Sequence, residues 1–341
     1  MNGRISLLKV FIVLHMIETM ISKKILKWYD LNKRDLPWRK KCSKSKKEYY
    51  TLISEFMLQQ TQVATVIPYF NRFIKILPTI EKLSKVDNSK LFKLWEGLGY
   101  YSRARNLKKT AQVIVKKYNK KIPNNFEDLL SLPGIGNYTA SAILSIGFNK
   151  PYIPLDGNIE RVLKRYLLLK KENQITKEYL NKTKSIFGTT RRSSDYAQAL
   201  MELGATICKP FNPVCDMCPI NHNCKALIKK DFTLKKILKK NKKKFFVVNV
   251  HKKNNKYFLI KNNTFNFLRN LKIFPMKEVR YDKRFKKHLN IKLSNMDMAI
   301  QIKKTEKKQN SPVHYWIDPK KVQEIVLPSF TKRILKELET I

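Results

Sequence analysis

The stretch Leu-Pro-Gly-Ile-Gly-Asn-Tyr-Thr-Ala-Ser-Ala-Ile, residues 132–143, constrains the fold more than any other part of the chain. Gly134 and Gly136 offer backbone angles that are closed to other residues, so the stretch predicts the end of one helix, a tight hairpin and the start of a second helix. Such a hairpin directs free backbone N–H groups outward at a helix N-terminus, where they suit a phosphate. A Gly-x-Gly pair alone is weak evidence, because an ordinary tight turn has the same pattern.

The charge balance indicates the class of partner. The 341 residues include 71 Lys and Arg against 26 Asp and Glu, which gives a formal net charge of +45. This excess predicts a polyanionic partner, of which nucleic acid is the commonest. Only 14 of the basic residues are Arg, and an AT-rich genome would also place Lys at any surface position. The total charge is therefore moderate support for binding to DNA.

The N-terminal residues 1–20 form an extension of uncertain role. The segment Ile5–Ile21 is apolar, but Lys9, His15 and Glu18 interrupt it, and no small-residue cleavage site follows. It is too short and too interrupted to span a membrane. We therefore expect no membrane association.

Two carboxylates stand at positions suited to chemistry. Glu55 lies in the apolar helical run Leu52–Leu58, where burial would raise its pKa, although it could also face solvent from a polar side of the helix. Asp156 lies at or just before the N-terminus of a helix predicted over residues 158–169, where the helix should keep its pKa low. Plain helix capping would also explain Asp156.

Four of the five cysteines are clustered as Cys208-x6-Cys215-x2-Cys218-x5-Cys224. Clustered cysteines predict a metal site in a reducing compartment better than they predict disulfides. Ligation by four cysteines suits either a [4Fe-4S] cluster or zinc, and the chemistry of the donors leaves both open.

The periodicity changes from helical to alternating after a Lys-rich linker over residues 228–243. Residues 244–341 predict a small α/β domain, with helices over 322–325 and 330–338. The predicted strands are Phe245–Val250, Tyr257–Ile260, Met298–Ile302 and His314–Ile317.

The hairpin, the following Leu155–Arg161 segment and the cysteine loop resemble the helix-hairpin-helix superfamily of DNA glycosylases, and within it the iron–sulfur branch. Ser54–Val63, Gly97–Asn106 and Arg34-Asp-Leu-Pro-Trp38 are similar to the MutY family, which removes adenine opposite 8-oxoguanine. The resemblance implies a mostly α fold with a glycosylase core over 21–227, the hairpin at 132–143 and an iron–sulfur loop at 208–224. It also implies that residues 244–341 form a Nudix-like 8-oxoguanine recognition domain.

The resemblance implies hydrolysis of the bond between adenine and its sugar after the base flips out of the duplex. Glu55 would protonate adenine N7, and ionised Asp156 would face an oxocarbenium-like sugar. Tyr138 would hold the carboxylates, and Asn158 would help to place water. The implied cofactor is a [4Fe-4S] cluster on Cys208, Cys215, Cys218 and Cys224. The implied DNA contacts are Arg34 and Glu202 on adenine, Gln60, Thr61, Leu98 and Tyr100 around 8-oxoguanine, Gly134 and Gly136 on a phosphate, and Trp38 and Ser294.

The sequence also departs from its relatives in ways that bear on the activity. The family's C-terminal Phe-Ser-His turn is best placed at Leu293-Ser-Asn295, where only Ser294 matches, so discrimination against guanine should be weaker. Tyr138 stands where endonuclease III has its Schiff-base Lys, so strand cleavage is not expected. A bifunctional glycosylase of the endonuclease III type and a non-catalytic iron–sulfur DNA-binding protein remain alternatives. The expected partner is duplex DNA with 8-oxoguanine:A or G:A mispairs, bound by a monomer in the bacterial cytoplasm with the nucleoid.

Overall fold

A computed structural model describes residues 20–169, 190–232, 242–293, 296–306, 310–322 and 324–340. Within these ranges the chain forms two compact units, described below as the first and the second. The first unit combines residues 20–86 with the described residues of 105–232, and the second combines residues 87–104 with the described residues of 242–340. The family resemblance instead implied that residues 87–104 belong to the glycosylase core. Most of the predicted N-terminal extension and linker lies outside the described residues, as do Ser294 and Asn295.

Helices account for nearly all the regular structure of the first unit. The apolar faces of its first, ninth and tenth helices share one core, which includes Ile25, Tyr29, Val162 and Leu200. The helices predicted around Glu55 and after Asp156 are confirmed, and the helix that carries Glu55 begins at Lys44. In chain order the helices are α1 (20–32), α2 (Lys44–Leu58), α3 (Val63–Ile76), α4 (Ile80–Lys85), α5 (Asn88–Trp95), α6 (Tyr101–Lys117), α7 (Phe126–Ser131), α8 (Asn137–Ala142, continued by a π-helical turn over Ile143–Gly147), α9 (Gly157–Leu167), α10 (Ser193–Thr206) and α11 (Lys225–Ile228). Of these, α5 lies in the second unit, and α6 begins there and ends in the first.

Two small sheets and one helix complete the second unit. The elements are β1 (Lys242–Val250), β2 (Lys252–Lys253), β3 (Lys256–Lys261), β4 (Lys272–Ile273), β5 (Met276–Val279), β6 (Leu289–Leu293), β7 (Met296–Lys304), β8 (His314–Ile317) and α12 (Ser329–Leu338). One sheet has the strand order β5-β1-β7-β6 with β1 and β7 parallel, and in the other β3 pairs with β2, β4 and β8. All four predicted strands are confirmed.

One face of β1 contributes to the core of the second unit. Phe246, Val248 and Val250 are buried, and Phe330 and Ile334 of α12 join the same core. The helix predicted over 330–338 is confirmed. The helix predicted over 322–325 is wrong, because its described residues form turns. In the described ranges no helix is both long and apolar enough to cross a membrane.

Candidate active site

Glu55 is buried on α2, with 4% of its surface exposed. Burial raises its pKa to about 7; a hydrogen bond from the Tyr138 hydroxyl opposes this shift, and the negative charge of Asp156 adds to it. Within the described part of the chain its Oε2 atom has no hydrogen-bond partner. The raised pKa is as predicted, and the alternative of a solvent-facing Glu55 is wrong.

Asp156 caps the N-terminus of α9. Its Oδ1 accepts hydrogen bonds from the backbone N–H groups of Asn158 (3.0 Å) and Ile159 (2.7 Å), and its Oδ2 accepts one from the Asn158 side-chain amide (2.9 Å). Burial nevertheless raises the pKa of Asp156 above its ordinary value, against these hydrogen bonds. The prediction of a low pKa was therefore wrong, because this helix N-terminus is enclosed and removal from water outweighs the favourable dipole.

Tyr138 lies close enough to Glu55 and Asp156 for the charge of each carboxylate to act on its hydroxyl. It is the second residue of α8, and it packs beside Ala142 and Ile146 of the same helix. Burial raises the pKa of Tyr138 well above its ordinary value, and the charges of Glu55 and Asp156 raise it further. The hydroxyl therefore stays protonated and serves as a hydrogen-bond donor to Glu55.

The hairpin before α8 uses its two glycines differently. Gly134 has φ +81°, and a Cβ there would come within 2.8 Å of the Cβ of Asn106 and 3.1 Å of the ring of Phe56. Gly136 has φ −104°, which any residue adopts, and a Cβ there would meet no atom within 4 Å. The expectation of a special backbone angle holds for Gly134 and is wrong for Gly136.

A second buried carboxylate, Glu202 on α10, accepts hydrogen bonds from two arginines. Arg34 binds it through Nε and through Nη2 (3.2 Å to Oε2), and Arg39 Nη2 donates to the same Oε2 at 2.9 Å. Burial alone would raise the pKa of Glu202, but the hydrogen bonds and charges of Arg34 and Arg39 lower it below its ordinary value. Arg34 and Glu202 were expected from the sequence and Arg39 was not, although Arg39 directly follows the Arg34-Asp-Leu-Pro-Trp38 motif.

The other predicted DNA contacts are divided between the two units. In the first unit, Trp38 packs edge-to-face on Phe70 with ring centroids 5.3 Å apart. Exposed Gln60 has φ +58° and adjoins the predicted contact Thr61. Leu98 and Tyr100 belong to the second unit, and Ser294 lies outside the described residues.

All four clustered cysteines line one cavity of about 30 Å³ beside Arg165. Arg165 holds the loop: its Nη1 lies 3.4 Å from the Cys208 sulfur and donates to the Lys209 carbonyl, and its Nη2 donates to the Pro210 carbonyl. In the part of the chain that the structure describes, no three His, Cys, Asp or Glu side chains form a group that would hold a metal ion. The loop nevertheless supplies four thiols at one cavity, none in a disulfide, and these are the right donors for a group with four cysteine ligands.

Arg161, which sequence reasoning did not single out, connects the carboxylate site to the cysteine loop. Its Nη2 donates to Asn158 Oδ1 (2.8 Å) and to the Gly204 carbonyl (2.7 Å), and its Nε donates to the Cys208 carbonyl (2.6 Å). One guanidinium thus joins the Asp156 cap, α10 and the first cysteine.

Comparison with known proteins gives the family. A family model described as the HhH-GPD superfamily of base excision DNA repair proteins matches residues 53–186. An adenine DNA glycosylase of Buchnera aphidicola subsp. Schizaphis graminum is 33% identical over 349 aligned residues, which cover 93% of this chain and 98% of that protein. The chain belongs to the adenine DNA glycosylase family. This confirms the resemblance to the MutY family and the helix-hairpin-helix fold.

Two further matches each cover somewhat less than two thirds of the chain. An adenine DNA glycosylase of Buchnera aphidicola subsp. Baizongia pistaciae is 45% identical over 221 residues, which cover 64% of this chain and 61% of that protein. The structure of a thermostable thymine-DNA glycosylase aligns with a TM-score of 0.56 and 27% identity, covering 63% of this chain and 98% of that one.

Proposed function

We propose that this adenine DNA glycosylase removes adenine paired with 8-oxoguanine, and with guanine, by hydrolysing the N-glycosidic bond without cutting the strand. The observation that carries the proposal is a pair of carboxylates, buried Glu55 and half-buried Asp156, whose charges both act on Tyr138, which donates a hydrogen bond to Glu55. A general acid and an ionised carboxylate with different hydrogen-bond surroundings are what glycosidic bond cleavage requires.

Glu55 is the general acid. With a pKa raised to about 7, a large fraction of its carboxyl groups is protonated at neutral pH. Oε2 has no partner within the described residues, so it is free to meet an atom of a flipped base. Donation to adenine N7 makes the base a better leaving group, and the bond to C1′ then breaks with its electrons moving onto the base.

Asp156 faces the positive charge that develops on the sugar. It must be ionised to act, and its hydrogen bonds from Asn158 and Ile159 favour the carboxylate against the effect of burial. Asn158, fixed between Asp156 and Arg161, helps to place the attacking water. Tyr138 has no amine to form a Schiff base, so the enzyme leaves an abasic site in an intact strand.

The remaining predicted residues are proposed as DNA contacts. Glu202, kept ionised by Arg34 and Arg39, would accept a hydrogen bond from the adenine amino group. Trp38 would contact DNA, the hairpin glycines would hold a phosphate, and Ser294 would meet 8-oxoguanine. The residues proposed to surround 8-oxoguanine are Gln60, Thr61, Leu98 and Tyr100.

The four cysteines are proposed to hold a [4Fe-4S] cluster, which would stabilise the loop after α10. The reaction needs no electron from it, so we assign it a structural and DNA-orienting role. Measuring iron, acid-labile sulfide and zinc in the purified protein separates the two metals: four irons and four sulfides support the proposal, whereas one zinc would overturn it.

The deciding experiment is single-turnover adenine release from two duplexes, one with 8-oxoguanine:A and one with G:A, each with and without alkali. Strand cuts only after alkali, formed faster on the 8-oxoguanine duplex, are the expected result. Cuts without alkali would favour the endonuclease III type, and no release from either duplex would favour the non-catalytic alternative. Sedimentation of the protein–DNA complex tests the proposal that one copy binds each duplex.

A further inference from the structure

A turn at residues 97–100, between α5 and α6, has a backbone that must be held in place. Three of its four residues have positive φ: Gly97 (104°), Gly99 (70°) and Tyr100 (48°). For a tyrosine this region is uncommon and costs energy. Leu98 is buried while Tyr100 is 42% exposed. The turn therefore presents Tyr100 in a conformation that the surrounding residues impose.

Two side chains of the second unit hold the turn from within. Arg103 Nη2 donates to the carbonyls of Leu98 (3.0 Å) and Gly99 (3.3 Å), and Trp95 Nε1 donates to the same Gly99 carbonyl at 3.1 Å. The Arg103 guanidinium also lies over the Trp95 and Tyr100 rings, 5.6 Å and 5.5 Å from their centroids. The orientation of Tyr100 thus depends on contacts to its neighbours along the chain.

An ion pair connects this turn to the C-terminal helix of the same unit. Glu96, the residue directly before the turn, has a side chain only 15% exposed and pairs with Lys332 of α12 at 2.7 Å and with Lys93 at 3.0 Å. Its Oε1 also lies 3.5 Å from the Leu327 N–H group. Burial alone would raise the pKa of Glu96, but the two lysines lower it, so Glu96 is ionised at neutral pH. Loss of Lys332 would leave this largely buried carboxylate with one cation fewer.

We propose that Glu96 and Lys332 are positioning residues through which α12 fixes the 97–100 turn and thereby sets the preference for 8-oxoguanine over guanine. The inference rests on the proposed function, in which Leu98 and Tyr100 meet the lesion. It gives the C-terminal part of the chain a route to lesion choice that is separate from Leu293-Ser-Asn295, where the family's Phe-Ser-His turn is altered.

The test compares three variants of the full-length protein with its cluster. Lys332→Met removes the charge and keeps the length of the side chain, and Lys332→Arg restores the ion pair. Lys336→Met is the matched control, because Lys336 is exposed one turn further along α12. Lys332→Met should reduce the ratio of single-turnover rates on 8-oxoguanine:A and G:A by about threefold to fivefold, and the other two variants should keep the ratio.

Hydrogen exchange of the free protein provides a measurement that does not depend on activity. Lys332→Met should speed exchange of the amides of residues 97–103, which Lys332→Arg and Lys336→Met should leave as they are. If Lys332→Met exchanged faster but kept the same ratio of rates, the inference would be overturned and the proposed function would stand. Unchanged exchange in Lys332→Met would have the same meaning. If the unaltered protein released no adenine, the proposed function would fail first, and the inference about lesion choice with it. Should Lys332→Met unfold, Glu96→Gln tests the same link and should lower the same ratio.

Discussion

At the residue scale, Glu55 and Asp156 show how hydrogen bonds give two enclosed carboxylates different roles. Burial raises both pKa values. Glu55 has a hydrogen bond from Tyr138 on one side and an unpartnered oxygen among the described residues on the other. Asp156 instead accepts three hydrogen bonds, two of them from the backbone of α9. The residue with fewer donors is suited to carry a proton, and the residue with more donors is suited to carry a charge.

Glu55→Gln tests the acid role directly. The amide keeps the shape of the side chain but has no acidic proton, so adenine release should fall by about 10²- to 10⁴-fold. Binding to the mispaired duplex, measured by anisotropy, should stay within about threefold of the unaltered protein, which separates lost chemistry from lost recognition. Excision that survives the substitution would exclude Glu55 as the acid.

The pH dependence of adenine release follows from the raised pKa of Glu55. A raised carboxyl pKa keeps the proton on at higher pH, so the acid form is present below about pH 7 and is lost above it. Single-turnover rates should therefore fall about tenfold per pH unit on the alkaline side. On the acid side the rate should fall again where Asp156 becomes protonated. A rate that stays level across the alkaline side would show that no group of this pKa donates the proton.

At the element scale, the packing of α9 against α10 places Asn158 and depends on Gly204. A Cβ at Gly204 would come within 2.6 Å of the Asn158 Cβ and 2.8 Å of its carbonyl oxygen. Gly204→Ala should therefore force the two helices apart, lowering the free energy of unfolding by about 1–3 kcal/mol. Urea unfolding measures the loss.

Gly157→Ala is the matched control for that substitution. Gly157 is the first residue of α9, its φ lies outside the left-handed region, and a Cβ there would meet no atom within 4 Å. The free energy of unfolding of the Gly157→Ala variant should differ from that of the unaltered protein by less than about 0.5 kcal/mol. Equal losses in the two variants would show that the close approach at Gly204 does not limit the packing.

Sequence periodicity predicted the elements better than it predicted their surroundings. The helices around Glu55 and Asp156 and the four predicted strands follow from apolar spacing, which a sequence displays directly. Arg39 and Arg161 were missed because their partners Glu202 and Cys208 lie 163 and 47 residues away along the chain. The direction of the pKa shift of Asp156 was predicted wrongly because the position of a helix N-terminus in the sequence does not show how far neighbouring elements bury it.

At the scale of the whole molecule, the division into units was the hardest feature to predict. Residues 87–104 interrupt the first unit's sequence and group with residues 242–340. Their periodicity is helical like that of their neighbours, so no change of composition marks the boundary. The pairing of Glu96 with Lys332, 236 residues apart, ties the segment to α12. Domain boundaries are predicted from changes in composition along the sequence, whereas the units of the structure are set by which residues contact one another.

The net charge of +45 is larger than the number of basic residues that can contact DNA phosphates. The salt dependence of DNA binding measures that number. A protein–DNA interface of about 1,000–2,500 Å² accommodates only a fraction of 71 basic residues. If about 6–10 of them contact phosphates, log K for an undamaged duplex should fall against log salt with a slope of about −5 to −9. Fluorescence anisotropy over a range of salt concentrations gives this slope. A steeper slope would mean that lysines across the surface act together on DNA, and a slope near zero would remove the electrostatic argument for a nucleic acid partner altogether.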